Sequence, residues 1–403
     1  IDMVRDIPEN GYLTLIFKPT YACNLACSYC YGERWRDSAD DLISVEYAKR
    51  AFAWVCDFCR MRGTEGVKII WHGGEPLLAG LDFYRKAMEF QRRYADGKRI
   101  HNTLQTNATL ITPEWADFFR SNGFLIGVSL DGPKNVHDRS RGGKGGASVF
   151  DRVVRGIMTL YRAGVQYNVM ATVNRQSEGR GLEIYQFLKS AGTRFIQFMP
   201  VVEHIKDGLI VSPDTEGAKL APWSVSAEGF GRFLCDIFDH WVRNDVGKVF
   251  VNQFDAALAC WCGVQPGICV YSETCGGNSI VEHNGDLYPC DHFVYPQYRI
   301  GNVLETPLRT LMSSQQQIRF GIDKRNGLPK KCRMCEWFFA CHGECPKHRF
   351  SRTEAGETGL NVLCDGMSMF YRHISPYMDK MKELLSMQQP PAGIIPWARM
   401  RKV

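Results

Sequence analysis

Short apolar runs alternate with segments of helical apolar spacing all the way from residue 12 to residue 202. The strand candidates are Leu13–Lys18, Val67–Trp71, Asn102–Thr106, Leu125–Leu130, Tyr167–Val173 and Phe195–Pro200. Between them, Val45–Arg62, Leu81–Tyr94, Pro113–Asn122, Val149–Ala163 and Leu182–Ala191 carry the helical pattern. Such alternation favours a parallel sheet with helices outside it. Six strands fall short of a closed eight-stranded barrel. The expected fold is α/β: a partial (β/α)6 barrel of parallel strands followed by a cysteine-rich C-terminal domain. In a barrel of this kind, functional residues lie at the C-terminal strand ends, where the loops converge.

The rhythm stops near residue 203. Residues 204–225 are polar with several Pro and Gly and read as a linker, and Ser226–Asn244 reads as one amphipathic helix. From about residue 250, cysteine and glycine dominate, and a region with so little apolar pattern needs cross-links such as metal clusters to hold it. The expected divisions are residues 1–203, 204–250, 251–375 and 376–403. The stretch after Met387, with Pro390, Pro391 and Pro396, reads as an extended arm.

Hydrophobic residues make up 45% of the chain and charged residues 23%, enough for a large core. The net charge of +6 is too mild and dispersed to indicate a nucleic-acid partner. There is no apolar run long enough to span a membrane, and Ile1 to Tyr12 holds no hydrophobic signal core. The expected location is the cytoplasm, where the 16 cysteines stay reduced and are better read as metal ligands than as disulfides.

Cys23-Asn-Leu-Ala-Cys27-Ser-Tyr-Cys30 follows directly on the first strand candidate. Three thiolates in one loop bind three irons of a cubane [4Fe–4S] cluster and leave the fourth iron open for a substrate or cofactor. A structural zinc site would need a fourth ligand, for which His72 or Glu33 is available. Further on, Cys269-x5-Cys275-x14-Cys290 precedes Cys332-x2-Cys335-x5-Cys341-x3-Cys345, and Cys364 follows. Eight thiolates satisfy two fully ligated cubanes or two zinc ions, and stoichiometry does not choose between them.

The three-cysteine loop resembles that of the radical S-adenosylmethionine superfamily. The resemblance implies that the cofactor's methionine amino and carboxylate groups chelate the open iron, and that an electron from the cluster yields a 5′-deoxyadenosyl radical. Gly73-Gly74-Glu75-Pro76 resembles the family's glycine-rich segment beside the cofactor's amino group. Glycine permits close backbone approach, and a carboxylate suits an ammonium partner. Gln105 and Asn107 lie at the end of the third strand and Ser129 and Asp131 at the end of the fourth, positions where turn chemistry alone also favours Asn and Asp. By resemblance, Ser129 and Arg141 contact the cofactor's ribose and carboxylate, Tyr29 and Val202 flank its adenine, and Gln105, Asn107 and Asp131 belong to the same site.

The later cysteines look like the twin-cluster (SPASM-type) domain of radical enzymes that modify peptides and proteins. By analogy, Cys269, Cys275, Cys290 and Cys345 hold one auxiliary [4Fe–4S] cluster and Cys332, Cys335, Cys341 and Cys364 the other, three clusters in all. From Leu13 to about Cys364 the chain is similar to the anaerobic sulfatase-maturating enzymes, most specifically in Tyr288-Pro-Cys290-Asp291-His292-Phe293-Val-Tyr295-Pro296 and Arg299-Ile-Gly301-Asn302. That resemblance implies a base, Asp291, and conversion of a Cys or Ser in an unfolded sulfatase to Cα-formylglycine. It also implies a flavodoxin- or ferredoxin-type reductant and a monomeric enzyme. The alternatives are a radical cyclase or cross-linking enzyme acting on a precursor peptide and an iron–sulfur electron-transfer protein. One departure stands out. Members of this family can carry an aromatic residue two positions after the last motif cysteine, where this chain has Gly32, with Tyr31 as the available substitute.

Cys56, Cys59, Cys235, Cys260 and Cys262 remain. Cys56-x2-Cys59 falls inside a helical pattern rather than at a helix start, where thiol pKa falls, so packing is its expected role. His72 ends the second strand and can pack there or face the site. Trp337, Phe338 and Phe339 are expected to shield a cluster, and Arg399 to Lys402 to form a solvated terminus.

Overall fold

The computed structural model describes residues 12–32 and 45–401, without the side chains of residues 12, 45–47 and 58–62. Glu33, Lys402 and the side chain of Cys59 lie outside the described residues. Six strands alternate with helices: β1 (Tyr12–Phe17), α1 (Val45–Arg62), β2 (Gly66–Trp71), α2 (Leu81–Tyr94), β3 (Arg99–Thr106), α3 (Pro113–Ser121), β4 (Leu125–Ser129), α4 (Lys134–Ser140), α5 (Phe150–Arg162), β5 (Tyr167–Val173), α6 (Gly181–Ser190) and β6 (Phe195–Pro200). This is the parallel α/β architecture expected from the apolar rhythm. β3 starts three residues before its apolar pattern does, because Arg99 and His101 are exposed and only the strand's second half enters the core.

The chain divides into two compact units. The first comprises Ile1–Ser129, Arg141–Tyr167 and Cys275–Ile322. Here β1 pairs in parallel with β2, β2 with β3 and β3 with β4. On its other side β1 pairs in parallel with Asn278–Val281, from Thr14↔Asn278 to Phe17↔Val281. Asp286–Tyr288 and Gly301–Asn302 extend the sheet antiparallel. The core beside β1 and β2 is aromatic: the Trp71 ring lies 5.7 Å from Phe17 and 5.2 Å edge-on to Tyr84. Edge-to-face contacts of this kind add to the gain from burial alone. The Trp71 indole N–H is satisfied by Asn102 Oδ1 at 2.9 Å.

The second unit comprises Leu130–Ser140, Asn168–Thr274 and Asp323–Val403. β5 pairs in parallel with β6, and β6 with Phe250–Val251. Helix α7 (Ala227–Asn244) begins at Ser226, whose hydroxyl caps the Gly229 N–H at 3.0 Å. It crosses the long helix Cys364–Ser386 at two glycines. A Cβ on Gly231 would lie 2.5 Å from the Gly366 carbonyl oxygen, and one on Gly366 would overlap the Ala227 carbonyl. The crossing therefore brings backbone against backbone.

Two expectations need correction. Residues 204–225 are not a plain linker. His204–Lys206, Leu209–Ile210 and Lys219–Leu220 form a small antiparallel sheet. Its hairpin turns on Asp207-Gly208, both at positive φ, and strands this short leave almost no alternation to read. Nor is the end of the chain an extended arm. Ile394–Met400 is a helix with Ile394 and Ala398 buried and Trp397 edge-on to Tyr377 at 5.7 Å, and Pro396 sits in its first turn, where a missing N–H costs nothing. The helix Cys364–Ser386 also runs through residue 375, where a division had been expected. Among the described residues, no helix is long and apolar enough to cross a membrane.

Substituting Gly231→Val forces the two helices apart. It is expected to destabilise the protein by about 3 kcal/mol, as overpacking does, read as a lowered Tm and midpoint in urea.

Candidate active site

The loop after β1 carries the first three cysteines. Its shape is set by backbone contacts with the loop after β2. The His72 N–H donates to Phe17 O at 2.9 Å, Gly74 to Thr20 O at 3.1 Å and Glu75 to Ala22 O at 2.8 Å. Pairing that begins as β1–β2 thus continues to the residue before Cys23. A Cβ on Gly73 would collide with the Thr20 carbonyl, and one on Gly74 with those of Tyr21 and Ala22. Gly73 also holds φ at +148°, open in practice to glycine alone. Within the loop, the Leu25 N–H donates to Cys23 Sγ at 3.4 Å and Cys30 N–H to Cys27 O at 3.2 Å. N–H donors aimed at sulfur suit ligated thiolates.

The proposed cofactor residues of the first unit surround this loop. Glu75 is fully buried, and its carboxylate accepts from Leu77 N–H at 3.1 Å, Thr106 Oγ1 at 2.7 Å and Asn107 N–H at 2.8 Å. Burial pushes the carboxyl up to about 7 against these three bonds, which favour the ionised form. Three acceptances leave room for one more, the capacity an ammonium would use. Asn107 Nδ2 donates to Asn24 Oδ1 at 2.9 Å, and Asn24 Nδ2 to Thr109 Oγ1 at 2.8 Å, tying the cysteine loop to the end of β3. Gln105 Nε2 donates to Ser129 Oγ at 3.0 Å. The glycine-rich segment after Arg141 bonds the cysteine loop through the Ala26 N–H to Gly142 O at 2.8 Å, and the Arg141 guanidinium lies 5.5 Å over the Tyr29 ring. Gly73, Gly74, Glu75, Asn107, Arg141 and Tyr29 are therefore brought around Cys23, Cys27 and Cys30.

Asp291 lies in the same unit, in a short helical turn Asp291–Phe293 after Cys290. The Cys290 thiol is 3.5 Å from its Oδ1, and the Tyr31 hydroxyl donates to its Oδ2 at 3.5 Å. Cys290 Sγ, an Asp291 oxygen and a His292 ring nitrogen all lie within 4.8 Å of one another. Burial alone would raise the Asp291 carboxyl, but the charges of His292, His72 and Lys18 and the Cys290 thiol outweigh it and hold it at about 2. Asp291 is thus an ionised acceptor, and Tyr31, not the glycine after it, supplies the aromatic ring beside it. Beneath Asp291, Lys18 Nζ pairs with Glu282 Oε1 at 3.2 Å, both buried, and the Tyr21 hydroxyl donates to Glu282.

In the second unit, Asp131 is buried and its Oδ1 accepts from the Thr172 N–H at 2.9 Å, a brace between the end of β4 and β5. Val202 is buried just past β6. Cys332, Cys335, Cys341 and Cys364 form one group. Burial raises the thiols of Cys332, Cys341 and Cys364, the last to about 11. Each also feels its neighbours: Cys341 senses Cys364 and Cys332, and Cys364 senses Cys332 and Cys335. Thiols coupled in this way, with the Trp337 backbone N–H on Cys335 Sγ at 3.4 Å, suit a four-thiolate site. Of the remaining set, Cys275 and Cys290 belong to the first unit and Cys269 and Cys345 to the second. Cys56, Cys235 and Cys260 are buried. Trp337 stacks on Trp261 at 6.2 Å, and Phe339 packs edge-on to the same ring at 4.7 Å.

A radical SAM superfamily model matches residues 17–188, and an iron–sulfur cluster-binding (SPASM) domain model matches residues 273–336. The serine-type anaerobic sulfatase-maturating enzyme of Bacteroides thetaiotaomicron is 45% identical over 393 residues, covering 95% of this chain and 94% of that protein. The chain belongs to the anaerobic sulfatase-maturating enzyme family. A cysteine-type maturating enzyme of Clostridium perfringens is 29% identical, covering 90% of this chain and 96% of its own. A solved structure of native anSMEcpe with bound AdoMet and Cp18Cys peptide superposes with a TM-score of 0.82 at 28% identity, covering 93% of this chain and 99% of that one. Streptococcus suis SuiB bound to S-adenosylmethionine, at 16% identity and a TM-score of 0.59, shares the fold alone. As a member of the sulfatase-maturase family, the protein is a radical SAM oxidoreductase with iron–sulfur cluster binding in both matched domains.

Sequence reasoning on this maturase missed Asn24, Thr106 and Thr109, which hold the cofactor residues, and the buried Lys18–Glu282 pair near the base. Lys18 ends an apolar strand, and a charge there carries no signal until Glu282, 264 residues away, is placed against it. Asn24 sits between two cysteines and was hidden by them.

Gly74→Ala is expected to displace the Thr20–Ala22 backbone and with it Cys23. Reconstituted protein should lose about four irons per chain, one cubane's worth, in iron and sulfide analysis. An unchanged iron count and unchanged S-adenosylmethionine binding would contradict this role for Gly74.

Proposed function

We propose that this chain oxidises a serine of an unfolded sulfatase, at its Cβ, to Cα-formylglycine, using S-adenosylmethionine and three [4Fe–4S] clusters. The observation that carries the reading is the ionised, half-buried Asp291 placed between Cys290 and Tyr31, in the same compact unit as the Cys23, Cys27 and Cys30 loop. The preference for serine rests on relatives: two serine-type maturating enzymes, at 45% and 36% identity, stand above a cysteine-type one at 29%.

Cys23, Cys27 and Cys30 would hold the cofactor-binding cluster; Cys269, Cys275, Cys290 and Cys345 one auxiliary cluster; and Cys332, Cys335, Cys341 and Cys364 the other. When bound, cofactor and clusters supply what the side chains lack, a 5′-deoxyadenosyl radical that takes a hydrogen atom from Cβ and an acceptor for the electron the resulting radical must lose. The side chains bind, orient and move the proton. Glu75 holds the cofactor's ammonium with its remaining acceptor position. Arg141 would face its carboxylate, Ser129 its ribose, and Tyr29 and Val202 its adenine. Gln105 orients Ser129, and Asn107 and Asp131 fix the strand ends around the site. Asp291 accepts the substrate hydroxyl proton at a carboxylate oxygen, and the Tyr31 hydroxyl keeps that carboxylate oriented. Removing the proton makes the adjacent carbon radical easier to oxidise, so base and electron acceptor act on one step. A flavodoxin- or ferredoxin-type protein supplies the electron that starts the cycle.

With reconstituted enzyme, reductant and S-adenosylmethionine, a sulfatase-motif peptide bearing Ser should lose two hydrogens by mass spectrometry, and faster than its Cys counterpart loses two hydrogens and exchanges sulfur for oxygen. Deoxyadenosine released from an unchanged peptide would sink the proposal, and a faster Cys peptide would reverse the serine preference.

Asp291→Asn should lower kcat on the Ser peptide about 10²-fold or more, the scale of a lost general base, with iron content retained. Undiminished turnover would remove Asp291 as the base.

A further inference from the structure

We propose that the surface formed by Lys330, Lys331, Arg333 and Met334 docks an acidic one-electron carrier protein. Lys330–Arg333 is a single helical turn that contains Cys332, and Met334 separates it from Cys335. All four of the docking residues are exposed, and Met334, which follows the three cations in the chain, is 74% exposed, an apolar tip beside them. Met is a flexible, polarisable contact residue suited to such a tip. Among the described residues, no side-chain ion pair holds Lys330, Lys331 or Arg333; Glu357 Oε1 accepts from the Lys330 backbone N–H at 3.3 Å, and the Arg333 side chain donates to Asn326 O at 3.0 Å. The neighbouring cations differ. Arg325 pairs with Glu273 at 3.3 Å and Arg372 with Glu336 at 3.9 Å. The unpaired charges are thus the ones flanking two of the four grouped cysteines.

An exposed apolar side chain beside three cations whose side chains make no ion pair is the form of a transient, electrostatically steered interface, small in area and fast to form. Its complement is a protein whose redox centre is ringed by carboxylates. Three cations over one helical turn make too short a stripe to follow a nucleic-acid backbone. The inference deepens the functional reading above and rests on it for its chemistry. Forming the aldehyde removes one hydrogen atom, which goes to the deoxyadenosyl radical. It then removes one proton, which goes to Asp291, and one electron. That electron leaves the protein here and reduces the carrier's oxidised flavin or iron–sulfur centre by one.

The test uses reconstituted wild-type holoenzyme, the charge-reversed K330E/K331E/R333E variant and purified oxidised flavodoxin, with association followed by stopped-flow at low and high salt. The variant's association rate should fall about tenfold at low salt and lose most of its salt dependence, while its iron content and dithionite-driven peptide turnover match wild type. An unchanged rate with intact iron overturns the proposal. The milder K330Q/K331Q variant keeps the test open should charge reversal disturb cluster loading: a severalfold slower association is expected, and wild-type kinetics overturn the proposal. Heparin competing as well as flavodoxin for the same residues would overturn it in favour of a polyanion site. The functional reading fails separately, when wild-type enzyme binds flavodoxin but leaves the peptide unchanged.

Discussion

The backbone contact between Gly73-Gly74 and Thr20–Ala22 is the constraint on which the cofactor loop depends. Parallel pairing of β1 with β2 brings two strand ends side by side, and ordinary side chains would splay the loops that follow. With two glycines the hydrogen bonds run on past the strands, to Thr20 and Ala22. The three-cysteine loop therefore starts from a fixed point one residue before Cys23. Glu75, next in the chain, turns inward and closes the end of β3 through Thr106 and Asn107. One tetrapeptide thereby anchors the cysteine loop and the neighbouring strand end, which is why a short Gly-Gly-Glu-Pro segment carries information far beyond a turn.

The turn that carries Asp291, the proposed base, follows from the other neighbour of β1. Asn278–Val281 joins β1 in parallel, so Lys18 and Glu282, each just past its strand, meet side by side and form a buried pair. A buried ion pair is a poor source of stability, since desolvation consumes most of its attraction. Its value here is positional. Lys18 lies 5.9 Å from the Tyr31 ring, and its charge contributes to keeping the Asp291 carboxylate ionised. The sheet thus sets β2 and its glycine loop on one edge of β1 and the strand that leads to Asp291 on the other.

Most of the fold was legible because parallel strands and their helices each bury a continuous or periodic apolar face, and residues 12–202 carry that pattern. It failed where burial was sparse. Arg99–His101 leads β3 without an apolar signal, and the hairpin at Asp207-Gly208 has strands too short for alternation. The terminal helix was hidden by Pro390, Pro391 and Pro396, although Ile394 and Ala398 lie one turn apart on its buried side. In the site, the cysteines and glycines were legible because few other chemistries use them at such spacings. The polar residues that aim them, Asn24, Thr106, Thr109 and Lys18, were not. Each is ordinary in its local sequence and acquires a role only from a partner distant in the chain.

The same distinction accounts for how the cysteine-rich part of the second unit holds together. Leu328, Cys332 and Leu360 form only a small apolar cluster, with Phe338 and Cys364 against it. Around it, Arg349 donates to the carbonyls of His342, Gly343 and Glu344, and Glu344 binds His348 at 3.3 Å and Asn361. These bonds satisfy backbone that no helix or sheet covers. They also fix Cys341 and Cys345 on either side of Gly343 and Glu344. A network of this kind specifies positions without adding much net stability, since each bond replaces one to water. What remains is a group of thiols of which Cys332, Cys341 and Cys364 are pushed up by burial, which disfavours their charge. Coordination of Cys332, Cys335, Cys341 and Cys364 to iron, as proposed, would relieve that cost and cross-link the region, making binding free energy into folding free energy.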